Sequence, residues 1–106
     1  MSLHHPDTDD LELPAVLHAL SDPQRLCIVR ELSSATEPRP CGSLQLDVCK
    51  STRTHHFRVL REAGLVRQQV IGTSRLTSLR RDDLDERFPG LLDAILASTP
   101  ADAAIA

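Results

Sequence analysis

Apolar residues recur along this chain first at spacings of three and four and later at a spacing of two, which orders the elements as helices followed by strands. From Leu11 the positions Leu13, Val16, Leu17 and Leu20 mark a short amphipathic helix with Pro14 tolerated in its first turn. Asp22 and Pro23, a capping carboxylate before a proline, start a second helix running to about Leu32. Its Leu26, Cys27, Ile28, Val29 and Leu32 cover much of the circumference, which suits a central place in a core. Ser33 to Pro40, SSATEPRP, is a polar loop, and a brief helical turn follows from about Gly42 to Leu46.

Asp47 and Val48 then turn the chain into CKSTRTHHFRVLREAGLV, Cys49 to Val66, whose two faces ask for different partners. Phe57, Leu60, Ala63 and Gly64 share one arc of the helical wheel and form an inner face. The opposite arc carries Ser51, Thr54, His55, Arg58 and Arg61, short hydrogen-bonding groups first and long cations behind them, which suits a DNA groove. His55 and His56 point about 100 degrees apart, so they share no helical metal site; His56 is placed at the boundary of the two faces and His55 in the groove. Gly64 ends the helix, because glycine enters the left-handed conformation without a Cβ penalty. A short helix, a turn and a second helix with an exposed basic face make a helix-turn-helix.

After Gly64 the strings LVRQQV and RLTSLR flank IGTS, where Gly72 supplies the positive φ of a tight hairpin. This reads as a β-hairpin wing bearing Arg67, Gln68, Gln69, Thr73, Ser74 and Arg75. Asp82 or Asp83 caps a further helix to Arg87, Phe88-Pro89-Gly90 interrupts it, and Leu91, Leu92, Ile95 and Leu96 continue an apolar face. The expected organisation is a mobile tail over 1–10, one mainly α domain with a hairpin wing over 11–98, and a frayed tail over 99–106. His4 and His5 are metal ligands or surface histidines of the first tail, and the second reading is adopted.

At 106 residues the chain has room for a single core, and with Phe57 and Phe88 its only aromatic residues that core must be aliphatic. No apolar run approaches the roughly 20 residues of a transmembrane helix and no signal peptide is apparent, so a cytoplasmic protein with no membrane partner is expected. Three irregularly spaced cysteines argue against a disulfide framework. The formal net charge of −3 suggests a protein that nucleic acid repels, but its distribution says otherwise. Between Lys50 and Arg81 eight Lys or Arg face Glu62 alone, a local +7 that leaves −10 for the remainder. A basic surface on an acidic body is the footprint of phosphate binding. The chain lacks a glycine-rich phosphate loop, a Gly-x-Ser-x-Gly and a helical His-Glu-x-x-His, so no enzyme and no cofactor is expected.

LHALSDPQRLCIVREL, KSTRTHHFRVLREAGLV and the Gly72 wing together resemble the ArsR (ArsR/SmtB-type) family of winged helix-turn-helix repressors over about Leu13 to Leu96. The resemblance implies a homodimer on double-stranded DNA, released by an inducer. It implies pairing of the first and last helices of two subunits, which gives Leu13, Val16, Leu17, Leu20, Leu91, Leu92, Ile95 and Leu96 a partner. It places base contacts on Ser51, Thr52, Thr54 and His55, phosphate contacts on Arg58 and Arg61, and wing contacts on Arg67, Gln69, Thr73 and Arg75, with Lys50 and Arg53 adding charge. The chain departs from the family where Cys49 replaces a serine and Arg53 replaces a valine or leucine on the core-side arc; Arg53 snorkels outward to DNA, or the helix packs less tightly at its start.

The family's metal-binding patterns fail here, because its cysteine cluster is reduced to Cys41 and the C-terminal helix has no histidine, so no metal site is expected. Cys41 and Cys49 precede or begin helices, where amide dipoles lower thiol pKa, and form a candidate thiol sensor; alternatively Cys49 replaces a serine cap and Cys41 is a loop residue. Cys27 is expected as inert core. The competing function is a winged-helix interaction module without operator binding.

Overall fold

Pro23 sits in the first turn of its helix and Asp22 Oδ1 accepts from the N–H groups of Gln24 and Arg25 at 2.8 and 3.2 Å, so the helix start is the one the sequence encodes. The computed structural model describes residues 3–35, 37–40 and 50–98, with Lys50 and Ser51 by backbone alone. Among these residues the helices are α1 Leu13–Ala19, α2 Pro23–Ser33, α3 Lys50–Ala63, α4 Arg81–Arg87 and α5 Leu91–Ser98, preceded by a 3-10 turn at Thr8–Asp10. The strands are β1 Arg39–Pro40, β2 Val66–Ile71 and β3 Ser74–Leu79, in the antiparallel order β1-β3-β2. The brief helix expected over Gly42 to Leu46, Cys41 and Cys49, and the tail over 99–106 lie outside the described residues.

Ile28 and Val29 of α2, Leu60 of α3 and Leu65 beyond it are fully buried and form the centre of an aliphatic core. Val16 of α1, Leu84 of α4 and Leu92 of α5 close it from the other side. Burial raises the pKa of the Cys27 thiol, in keeping with a core residue rather than a reactive one.

α3 ends in a Schellman motif, with Leu65 N–H donating to Leu60 O at 2.9 Å and Gly64 N–H to Arg61 O at 3.0 Å. Gly64 has φ +89°, and a Cβ on it would run into the Leu11 side chain. Glycine is required there by conformation and by space. Gly72 has φ +61° and is followed by Thr73, whose φ is not positive; with Ile71 paired to Ser74 this gives the type II′ pattern of a two-residue hairpin.

Three expectations are corrected. α1 begins at Leu13, and Leu11 is a buried plug rather than a helical residue. Arg39 and Pro40, read as loop, pair with Thr77 and Leu76 of β3. Arg80, not an aspartate, occupies the N-cap position of α4, and Asp83 is instead bonded to Arg80 Nε at 2.9 Å and to Thr8 Oγ1 at 2.8 Å. Within the segment expected as an N-terminal tail, Pro6 O accepts from Arg80 Nη1 at 2.8 Å.

Candidate nucleic-acid interface

α3 separates its faces as the wheel requires. Phe57, Leu60 and Ala63 are buried, while Thr54, His55 and Arg58 are exposed in one row. Arg58 Nη2 lies 3.4 Å from His55 Nδ1, so these two exposed side chains are neighbours one turn apart. Thr52 is half-buried, and the side chains of Lys50 and Ser51 are not described. The hairpin that follows α3 exposes Arg67, Gln69, Thr73 and Arg75, with Arg75 on the sheet face opposite to Arg67 and Gln69. A polar helix face followed by a polar, cationic hairpin offers hydrogen-bonding groups and positive charge, the combination a duplex groove and its phosphates accept.

The basic segment is less free than its charge count suggests. Arg80 is buried and paired with Asp83, whose carboxyl is held below its usual 3.8 by hydrogen bonds from Arg80 and Thr8. Arg81 is bonded to Asp93 at 2.9 Å. Arg61, expected to point toward phosphate, donates from Nη1 to Gln68 Oε1 at 2.9 Å. Arg53 is half-buried, and its Nε is enclosed with no hydrogen-bond partner among the described residues. Among the described cations of this segment, Arg58, Arg67 and Arg75 are the exposed ones, and Arg67 stands 3.7 Å from Asp83.

His56, placed at the boundary by its wheel position, is buried against Arg25. Arg25, itself buried, donates from Nε to Ala19 O at 2.7 Å and from Nη2 to His18 O at 3.4 Å, and its Nη1 lies 3.2 Å from His56 Nδ1. The end of α1, the start of α2 and the middle of α3 are thereby tied together. Gln68, expected among the polar side chains of the wing, is buried while Arg67 and Gln69 on either side are exposed. The signal was the strand period of two, which puts Val66 and Gln68 on one face.

Leu13 and Leu17 on α1 are 41% and 47% exposed, and Leu17, Leu20, Leu26, Ala94 and Ile95 line an open apolar groove between α1, α2 and α5. Val16 and Leu92 are buried within the chain's own core, and Leu91, Ile95 and Leu96 are partly buried against it. Among the described residues no helix is long and apolar enough to cross a membrane, and no group of three or more His, Cys, Asp or Glu could hold a metal ion.

No protein-family model matches the chain. It is 33% identical over 90 residues to YceK of Bacillus subtilis (strain 168), an uncharacterised HTH-type transcriptional regulator, in an alignment covering 83% of this chain and 90% of that protein. Among solved structures, an ArsR family transcriptional regulator superposes with a TM-score of 0.64 at 23% identity, covering 81% of this chain and 89% of that one. An ArsR-like transcriptional regulator from Rhodococcus sp. RHA1 superposes with a TM-score of 0.57 at 28% identity, covering 81% and 87%.

Proposed function

The chain belongs to the ArsR-type helix-turn-helix transcriptional regulators, and from that membership we propose that it is a repressor binding an inverted-repeat operator as a homodimer. The observation that carries this reading is the exposed row of Thr54, His55 and Arg58 on a helix whose other face is core, beside a hairpin that exposes Arg75. Short groups at the front of the row reach base edges, and the arginines hold phosphates. The half-exposed Leu13 and Leu17, with the α1–α5 groove, support a paired surface that excludes water in the dimer. A mobility-shift assay with the DNA upstream of the gene tests it. Retention of the shift at moderate salt with excess random duplex is the expected result, and a shift lost under those conditions favours the interaction-module reading.

We propose Cys41 and Cys49 as the thiol sensor that releases the protein from DNA; the alternative is that Cys49 replaces a serine cap and Cys41 is a loop residue. Oxidation, persulfidation or a thiophilic metal at Cys49, bridging to Cys41 or not, distorts the start of the recognition helix. The Cys41→Ser, Cys49→Ser double variant should stay bound when the parent is released by oxidants or thiophilic metals. Equal release of both proteins eliminates the cysteines as the sensor.

A further inference from the structure

Gln68 is 2% exposed and meets three other parts of the chain at once. Its Oε1 accepts from Arg61 Nη1 of α3 at 2.9 Å, and its Nε2 donates to Thr77 Oγ1 of β3 at 3.3 Å. Its backbone N–H donates to His5 Nε2 at 3.0 Å. A buried amide left without partners gives up its bonds to water for nothing, so these partners hold Gln68 in place. The β2 edge would otherwise present this amide to solvent, and the N-terminal segment covers it.

We infer that Arg61 is a positioning residue for DNA binding, holding the hairpin at a fixed angle to the recognition helix through Gln68, rather than a phosphate contact; this rests on the DNA-binding reading above. Arg61 lies in the last turn of α3, and Gln68 is the third residue of β2, so the bond spans the bend at Gly64 and Leu65 where the two elements diverge. Without it the bend is held by the backbone bonds of the helix end and by packing. The segment 3–8 supports the same joint, because His5 accepts from Gln68, Pro6 O accepts from Arg80 and Thr8 donates to Asp83. His5 can accept at Nε2 only while that nitrogen is unprotonated. Burial, with the neighbouring Arg67, Arg61 and Arg80 charges, keeps the His5 pKa below its ordinary 6.5.

Arg61→Gln, Gln68→Met and the isosteric Thr77→Val, with the Arg61→Gln, Gln68→Met double variant, separate the two roles. In the DNA-free proteins, residual dipolar couplings of the α3 and hairpin amides should fit one alignment tensor for the parent and require two for Arg61→Gln and Gln68→Met. Thr77→Val keeps the Arg61 bond and checks that loss of a buried hydrogen bond does not by itself unfold the hairpin. On a duplex selected by the parent from a random pool, Arg61→Gln and Gln68→Met should each bind about tenfold more weakly and Thr77→Val about as well as the parent, and the double variant should bind no worse than the weaker of its two singles within about twofold, as expected for residues acting in one network. The salt slope should be unchanged. Dipolar couplings that still fit one tensor in both variants overturn the inference. So does an Arg61→Gln salt slope lower by about one, the mark of a lost phosphate contact. A parent that selects no duplex defeats the DNA-binding reading instead, while the dipolar couplings still decide whether Arg61 sets the hairpin angle.

Discussion

Arg25 Nη1 lies 3.2 Å from His56 Nδ1, a contact between two buried side chains on α2 and α3. Because a guanidinium only donates, Nδ1 is the unprotonated nitrogen, and the ring is neutral with its Nε2 proton toward Asp22 Oδ1, 3.9 Å away. Burial lowers the His56 pKa below 6.5 and outweighs the opposing pull of Asp22; the Arg25 and His55 charges lower it further. His5 is lowered in the same direction.

The unfolded chain therefore binds these protons at a higher pH than the folded one. Stability should be complete above about pH 6.5 and fall as pH drops from there through the folded pKa values. His56→Gln should reduce the slope of unfolding free energy against pH in that window. Denaturant unfolding between pH 7.5 and 5 measures it, and a parent whose stability is flat across the range contradicts the assignment of a neutral buried ring.

Arg25→Met should destabilise the fold by about 3 kcal/mol, since it leaves Ala19 O and His56 Nδ1 without their shared buried donor. A loss below about 1 kcal/mol in denaturant unfolding would mean that these acceptors find water.

Gly64→Ala and Gly72→Ala discriminate crowding from backbone strain. Both glycines have positive φ, but only Gly64 faces a neighbour, Leu11, while nothing lies within 4 Å of a Cβ at Gly72. Gly72→Ala should cost about 1 kcal/mol and Gly64→Ala at least about twice that, because the plug formed by Leu11 must move. Equal midpoints in chemical denaturation would show that Leu11 yields without cost.

Leu17→Glu places a charge on the half-exposed apolar face of α1 without touching the chain's own core. Sedimentation should find the parent as a dimer and the variant shifted to monomer, with weaker DNA binding. A parent that sediments as a monomer at micromolar concentration removes the proposed pairing of α1 and α5.

Much of the candidate DNA-binding surface was legible in the sequence because it depends on local periods. The inner Phe57 and Leu60, the outer Thr54, His55 and Arg58, the helix stop at Gly64 and the turn at Gly72 all follow from a few adjacent residues. What escaped depends on partners distant in sequence. Arg39 and Pro40 join β3 with too few residues to show a period, and His5 meets the Gln68 amide 63 positions away. Arg61 read as a phosphate-facing cation because nothing in the period of its helix announces that Gln68 of the following strand will engage it, whereas Arg80 and Asp83, three residues apart, are a local pair.

Thr54→Ala or His55→Ala should cost about 1 to 3 kcal/mol at particular base pairs, whereas Arg75→Ala should weaken every duplex alike and lower the salt slope by about one. Binding titrations on a selected and a random duplex at several salt concentrations separate the two patterns. Uniform losses from all three substitutions would move Thr54 and His55 out of the groove.

The most direct test of the whole account is selection of duplexes from a random-sequence pool by the full chain, followed by sequencing. The enriched sequences should form an inverted repeat whose half-sites are centred about 10 to 10.5 base pairs apart or a multiple of that, the spacing two symmetric recognition helices require on one face of B-DNA. A pool that shows no enriched motif after repeated rounds, from protein shown to be folded, contradicts operator binding by this surface.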